Sequence, residues 1–256
     1  MNARLAGKVA VVTGASRGIG AAIAEGLAQQ GAELALLGRN LAPLEALAAR
    51  LPIRAFAFAA DVSNPDSVRA AFARVREQIP RIDILVNNAG QAQSAPFTRT
   101  DFALWQSMLA VNLNSAFLCT REVWPAMVKQ DYGRIVNIAS LAGLTGLAYV
   151  SAYCAAKHGL IGLTRALARE AAASALTVTA VCPGYTETDM VKGAVANIVA
   201  KTGKSAAEAR AALVASNPQG RLIQPAEVAN AVLWLCLPGS ESITGQAIAI
   251  GGGEIM

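Results

Sequence analysis

The sequence predicts an α/β fold: a single doubly wound, Rossmann-like, seven-stranded parallel sheet with helices on both faces, forming one domain over residues 1–256. Three observations predict it. Short apolar runs alternate with helical stretches of roughly ten or more residues. The first run ends in a glycine turn, TGASRGIG, that opens an alanine-rich helix. Polar and glycine residues then recur at successive strand ends, where ligands of such sheets bind.

The elements follow in order. Residues 8–13, KVAVVT, read as a buried strand, and the helix after the glycine turn runs to about residue 30. A second strand covers 33–37 and a helix 41–51, with Pro43 in its first turn, where a missing N–H does no harm. Residues 53–59 form a third strand, and Ser63-Asn64-Pro65 start the next helix. The fourth strand is 82–86, followed by a long helical region over about 100–129 and a fifth strand at 134–139. A helix carrying Tyr153 runs to about 173, and 177–182 form the sixth strand. Pro225 opens a late helix, and 246–250 close the sheet. Right-handed crossovers leave the doubly wound dinucleotide-binding topology as the favoured one. Residues 185–217 hold two helical stretches beside a strand's C-terminal end, which reads as a substrate lid.

Composition narrows the class. Hydrophobic residues make up 54% and charged residues 15%, ample for a core. Uninterrupted apolar runs such as 231–237 fall short of the roughly 20 residues a spanning helix needs. No signal peptide is evident in MNARLAGKVAVV. Cys119, Cys154, Cys182 and Cys236 are scattered and read as small buried residues in a reducing, cytoplasmic setting, with no metal site. The net charge of +5 is spread out and contains no basic tract that argues for nucleic acid.

The chemistry centres on Tyr153 and Lys157, four residues apart on one helix face. A free phenol has a pKa of about 10, and a fixed ammonium nearby favours the phenolate. With Ser140 able to hold a reacting oxygen, this is a general acid–base site awaiting a redox cofactor. Singly, each residue also reads as packing, surface charge or cap. Glycines in the first turn let a backbone approach a pyrophosphate, although such turns also serve tight packing. Asp61-Val62 reads either as a turn capping the next helix or as an acceptor for an adenine amino group. His158, turned about 100° from Lys157, reads as structural, and Trp105 and Trp124 read as packing.

Taken together, these motifs resemble the short-chain dehydrogenase/reductase family along nearly the whole chain. TGASRGIG resembles its cofactor turn, with Gly14, Ser16, Arg17, Gly18, Ile19 and Gly20, and Asn88-Ala89-Gly90 its sheet-stabilising motif. Asn112, Ser140, Tyr153 and Lys157 match its catalytic tetrad, Ser140 preceding Tyr153 by 13 positions. Pro183-Gly184 with Thr186 and Thr188 resembles the segment that holds the nicotinamide carboxamide. The resemblance implies that Tyr153 donates a proton to a carbonyl oxygen and Ser140 polarises it. It also implies that Lys157 lowers the Tyr153 pKa and holds ribose hydroxyls, that Asn112 positions a water, and that the protein is a homotetramer.

Cofactor choice turns on Gly38-Arg39-Asn40, which lacks the carboxylate that would repel a 2′-phosphate. Arg39 and Arg17 suit a phosphate clamp, which favours NADP(H) over NAD(H). The pattern is similar to 3-oxoacyl reductases acting on CoA or acyl-carrier thioesters. It is equally compatible with reductases of small or hydrophobic ketones free of a carrier. A non-catalytic nucleotide sensor on the same fold would be expected to lose Tyr153 or Lys157, and both are present. Residues 91–96, 141–149, Tyr185 and 190–216 are expected to shape the substrate pocket.

Overall fold

The computed structural model describes residues 3–255; residues 1, 2 and 256, the ends of the expected domain, lie outside the described residues. Seven parallel strands form one sheet in the order β3-β2-β1-β4-β5-β6-β7. They are β1 (Val9–Thr13), β2 (Glu33–Gly38), β3 (Ala55–Ala59), β4 (Ile84–Asn87), β5 (Gly133–Ile138), β6 (Leu176–Pro183) and β7 (Ala247–Ile250). The helices between them are α1 (Gly18–Gln29), α2 (Leu41–Arg50), α3 (Pro65–Gln78), α4 (Phe102–Leu109), α5 (Ser115–Met127) and α6 (Ser151–Glu170). After β6 come α7 (Asp189–Thr202), α8 (Ala206–Val214) and α9 (Pro225–Cys236). The strand order reverses between β1 and β4, which opens a crevice at their C-terminal ends.

Burial on both faces explains the continuous apolar strands. Alternate residues serve opposite layers. Ala10, Val12, Leu34, Leu36, Ile84, Val86 and Val136 pack with Ile23 and Leu27 of α1 and Val232 of α9. Val11, Ala35, Leu37, Leu85 and Ile135 face the other way, onto Phe72 and Val75 of α3 and Val123 and Met127 of α5. Local chemistry sets the helix ends. The Asn64 side chain accepts from the N–H groups of Asp66 and Ser67 with Pro65 at the first position, and Ser205 and Glu208 form a capping box on α8.

Most boundaries fall within one to three residues of the sequence reading, the fourth strand for instance starting at Ile84 and not at residue 82, and two differences are structural. The third strand begins at Ala55, not residue 53, because Leu51–Ile53 makes a bend around Pro52, which has no N–H to give a ladder. The helical region at 100–129 is continuous from Phe102 to Met127, but Ala110–Asn114 is wound as a π-turn. By length and composition alone this helix could cross a bilayer, which no apolar run suggested. Asn114, Arg121 and Glu122 interrupt its apolar surface, and Asn112 is a polar residue on its buried side.

A buried polar ladder ties the sheet to the α5–α6 layer. Asn87 of β4 and Asn137 of β5 are register partners. The Asn87 amide donates to Thr120 Oγ1 (3.1 Å) and to Asn137 Oδ1 (2.8 Å), and the Asn137 amide donates to Thr164 Oγ1 (2.9 Å). Replacing Asn137 by Ala removes one of the two acceptors of the Asn87 amide, whose own Oδ1 already lacks a protein partner, and removes the donor to Thr164 Oγ1. An unsatisfied buried group costs about 1–3 kcal/mol. Asn137→Ala is therefore expected to lower unfolding free energy by about 2–4 kcal/mol in urea titrations, whereas Asn137→Asp should retain part of the ladder.

Candidate active site

The glycine turn connects β1 to α1 at the crevice. Gly14 and Gly18 have left-handed backbones, φ 64° and 55°. A Cβ on Gly14 would lie 2.9 Å from Ala89 Cα, and one on Gly18 would lie 3.1 Å from Thr188 Cγ2. Gly20 serves packing instead, since its Cβ would fall 2.3 Å from the Gly14 carbonyl oxygen. Ser16 and Ile19 are half-buried in the same turn. Arg17 occupies the N-cap of α1 with no side-chain capping bond, so the first-turn N–H groups keep their donor capacity. A pyrophosphate fits such a helix end.

Neighbouring strand ends hold this turn in place. The Asn88 amide donates to the carbonyls of Thr13 (2.9 Å) and Gly14 (3.1 Å). Thr13 Oγ1 accepts from the N–H groups of Asn88 and Ala89, a role the sequence reading did not assign. Asp61 makes a local turn, its carboxylate accepting from the Ser63 N–H and hydroxyl, and those bonds hold it below the usual carboxylate range. Capping of α3 falls to Asn64, so Asp61 does not cap that helix. Val62 is buried beside it and Arg39 is exposed at the end of β2. Arg17 does not stand free as half of a phosphate clamp: its guanidinium pairs with Asp189 at 3.4 Å. That pair is exposed, and such pairs are worth only about 0–1 kcal/mol.

Ser140, Tyr153 and Lys157 meet where β5 ends and α6 begins. Lys157 is buried, and its ammonium donates to the Ile138 carbonyl (2.8 Å). It lies 5.7 Å from the Tyr153 ring centroid. Burial pushes the Lys157 pKa down to about 8. The Tyr153 phenol is pushed up to about 12 by burial, with the Ser140 hydroxyl acting in the opposite direction. Burial is the largest effect on the Tyr153 phenol in this arrangement, with the Ser140 hydroxyl opposing it, and the Lys157 ammonium is engaged by the Ile138 carbonyl. Ser140 Oγ accepts from the Ala142 N–H (3.1 Å) and points its proton at the Pro183 carbonyl (3.5 Å).

Asn112 arrives from the π-turn. Its amide donates to the Gln91 (2.8 Å) and Met108 (3.0 Å) carbonyls, and its Oδ1 accepts from the Gln91 N–H (3.2 Å). A Cβ on Gly90 would lie 2.8 Å from Asn112 Oδ1 and 3.6 Å from Lys157 Nζ, so these groups converge over Gly90. Pro183 and Gly184 end β6 beside Ser140, Thr186 is buried, and Thr188 starts α7 with its hydroxyl on the Thr186 carbonyl. His158 sits outside the cluster on the Cys154 carbonyl. Among the described residues no group of three His, Cys, Asp or Glu could hold a metal.

The buried ammonium has a stability consequence. An unfolded lysine titrates near 10.5, against about 8 when folded. Below about pH 8 both states carry the proton and the folded state bears the desolvation cost. Between about 8 and 10.5 the unfolded chain binds more protons, so this group makes stability rise with pH. Lys157→Met is expected to raise the thermal midpoint of the cofactor-free protein at pH 7 and to flatten that rise; a lower midpoint at pH 7 would contradict it.

Comparison with known proteins follows the same lines. The family described as short chain dehydrogenase matches residues 8–198. Nodulation protein G of Rhizobium sp. (strain N33) is 40% identical over 252 residues, covering 98% of both chains. The 3-oxoacyl-acyl-carrier-protein reductase FabG of Vibrio cholerae is 39% identical over 252 residues, covering 98% of this chain and 99% of its own. A crystal structure of an actinorhodin polyketide ketoreductase variant with NADPH superposes with a TM-score of 0.93 at 36% identity, covering 99% of each chain. The sheet order, the strand-end motifs and likeness along the full length agree, and the chain belongs to the short-chain dehydrogenase/reductase family of oxidoreductases.

Proposed function

We propose that this protein is an NADPH-dependent reductase that interconverts a ketone and a secondary alcohol, of the type that acts on 3-oxoacyl groups carried by CoA or an acyl carrier protein. The observation that carries the reading is Lys157, a buried ammonium with one protein acceptor, set beside Tyr153 and Ser140 at the crevice. A buried lysine is costly unless something uses it. The reductases and ketoreductases among its relatives support the reaction class.

The residues fit a nicotinamide dinucleotide. The uncapped α1 turn offers donors to a pyrophosphate, Gly14 and Gly18 keep that approach clear, and Lys157 has further donors for ribose hydroxyls. Asp61 Oδ1 is engaged by Ser63, which leaves Oδ2 for an adenine amino group beside Val62, and Thr186 and Thr188 flank the carboxamide end. Arg39, exposed at the β2 end and in no salt bridge among the described residues, although its charge reaches Asp61, suits a 2′-phosphate. When bound, the nicotinamide supplies or accepts the hydride.

The protein's part is positioning and proton transfer. Ser140 donates to the substrate carbonyl oxygen and Tyr153 delivers the proton to it. A phenol held near 12 stays protonated at neutral pH and is ready to donate; the adjoining ammonium stabilises the phenolate left behind. Asn112 fixes the Gln91 backbone and, with Lys157, frames the space above Gly90, where a relay water can sit. Residues 185–217 act as a lid within a single domain, held to the body by Asn197 on Ser94 (3.1 Å) and Arg17 on Asp189. The helix Phe102–Met127, apolar and partly exposed in one chain, is the proposed interface of a homotetramer together with α6. Four free buried cysteines suit the cytoplasm.

A second reading, reduction of carrier-free ketones, draws on the lid's charges. Lys192 pairs with Asp189 and Arg210 with Glu187, so little positive field is left there for an acidic carrier. NADPH consumption with acetoacetyl-CoA, its short pantetheine analogue and plain ketones, run side by side, separates the two.

Tyr153→Phe is expected to lower kcat by about 10²–10⁴ with the NADPH Kd nearly unchanged, since only the proton donor is lost. Near wild-type turnover would contradict the assignment. Arg39→Ala is expected to weaken NADPH binding by about ten- to a hundredfold and leave NADH almost unchanged, as befits one charge-assisted hydrogen bond to a phosphate. The ratio of the two cofactor dissociation constants checks this; a wild type that prefers NADH would overturn the cofactor assignment.

A further inference from the structure

Tyr149 is, among the described residues, the one non-glycine position with a left-handed backbone, φ 67°. A side chain with a Cβ adopts this conformation only at a cost, and the cost persists where surrounding structure fixes it. Here the Ala95 N–H donates to the Tyr149 carbonyl (2.8 Å), and α6 starts two residues later. Packing gives little in return. The side chain is 67% exposed and its hydroxyl has no protein partner among the described residues. Glycine would satisfy the backbone better, so the ring itself is the feature that needs a reason.

Its location supplies one. Tyr149 lies four residues before Tyr153, on the segment that leads from Ser140 into α6. Its backbone bond reaches the 91–96 loop, which Asn112 holds at Gln91 and lid residue Asn197 holds at Ser94. Exposed Phe97, two residues beyond Ala95, and Met190, at the start of the lid, add apolar surface on the same segments. We propose that Tyr149 is a specificity-determining residue whose ring stacks on an apolar substituent of the substrate beyond its carbonyl, with aryl substituents preferred. The proposal rests on the ketone-reductase reading and adds the substrate class. Offset or edge-on aromatic pairing adds attraction worth roughly two- to tenfold in affinity.

The test compares an aryl β-keto ester with its methyl counterpart in wild type, Tyr149→Gly and Tyr149→Phe. Tyr149→Gly should lower the aryl-to-methyl ratio of kcat/KM by about fivefold, through KM rather than kcat, and raise the thermal midpoint by relieving the backbone. Tyr149→Phe should keep the wild-type ratio. An unchanged ratio in Tyr149→Gly, or a lower thermal midpoint, overturns the proposal. Saturation-transfer NMR of the aryl ester reads the contact without turnover. If no ketone is reduced while that signal persists and depends on Tyr149, the reductase reading fails and the Tyr149 contact stands. A signal absent from wild type, or indifferent to Tyr149, overturns the contact.

Discussion

The burial of the Lys157 ammonium is the interaction on which the rest of the site depends. It has one protein acceptor, the Ile138 carbonyl at the last residue of β5, so the charge is fixed to the sheet and not merely to its own helix. That attachment sets how α6 sits, and therefore where Tyr153 presents its hydroxyl. It also leaves no room for side chains nearby. A Cβ on Gly143 would lie 2.8 Å from the Lys157 carbonyl oxygen, and one on Gly90 would intrude between Lys157 and Asn112. The fold makes this possible because a parallel sheet delivers the ends of β1, β4, β5 and β6 to one edge.

Holding a cation there works against stability, and the surroundings offset the cost by being over-determined. The Asn87–Asn137–Thr164 ladder fixes β4, β5 and α6 a few residues below the site. The Asn88 and Thr13 bonds lock the glycine turn to the end of β4. Residues 185–217, the proposed lid, carry ion pairs that are solvent-exposed. Rigid walls beside such a segment suit the proposed entry of a dinucleotide and then a substrate.

The strands and their order were legible because two-sided burial writes them as unbroken runs such as VAVVT and ILVN, punctuated by glycine and asparagine at the functional edge. The placing of Tyr153 and Lys157 on one helix was legible from their spacing, and their pairing with Ser140 came from the whole set of motifs and the family resemblance. What escaped the sequence depends on three-dimensional competition. The π-turn that turns Asn112 toward Gln91 has no residue signature in AVNLN. Asp61 kept two readings in the sequence, turn cap or adenine acceptor, and only the backbone path gives the capping of α3 to Asn64. The pairing of Arg17 with Asp189 joins positions far apart in the chain. The raised phenol of Tyr153 follows from its burial, opposed by the Ser140 hydroxyl, which spacing cannot reveal. The left-handed Tyr149 was likewise invisible, since tyrosine gives no hint of positive φ.

Direct titration of the lysines reads the central claim. In cofactor-free protein labelled at lysine Cε, one NMR signal, that of Lys157, is predicted to titrate near about 8. If every lysine signal titrates together near the usual value of about 10.4, the ammonium is not held in a desolvated site, and the account of this active site built on it is wrong.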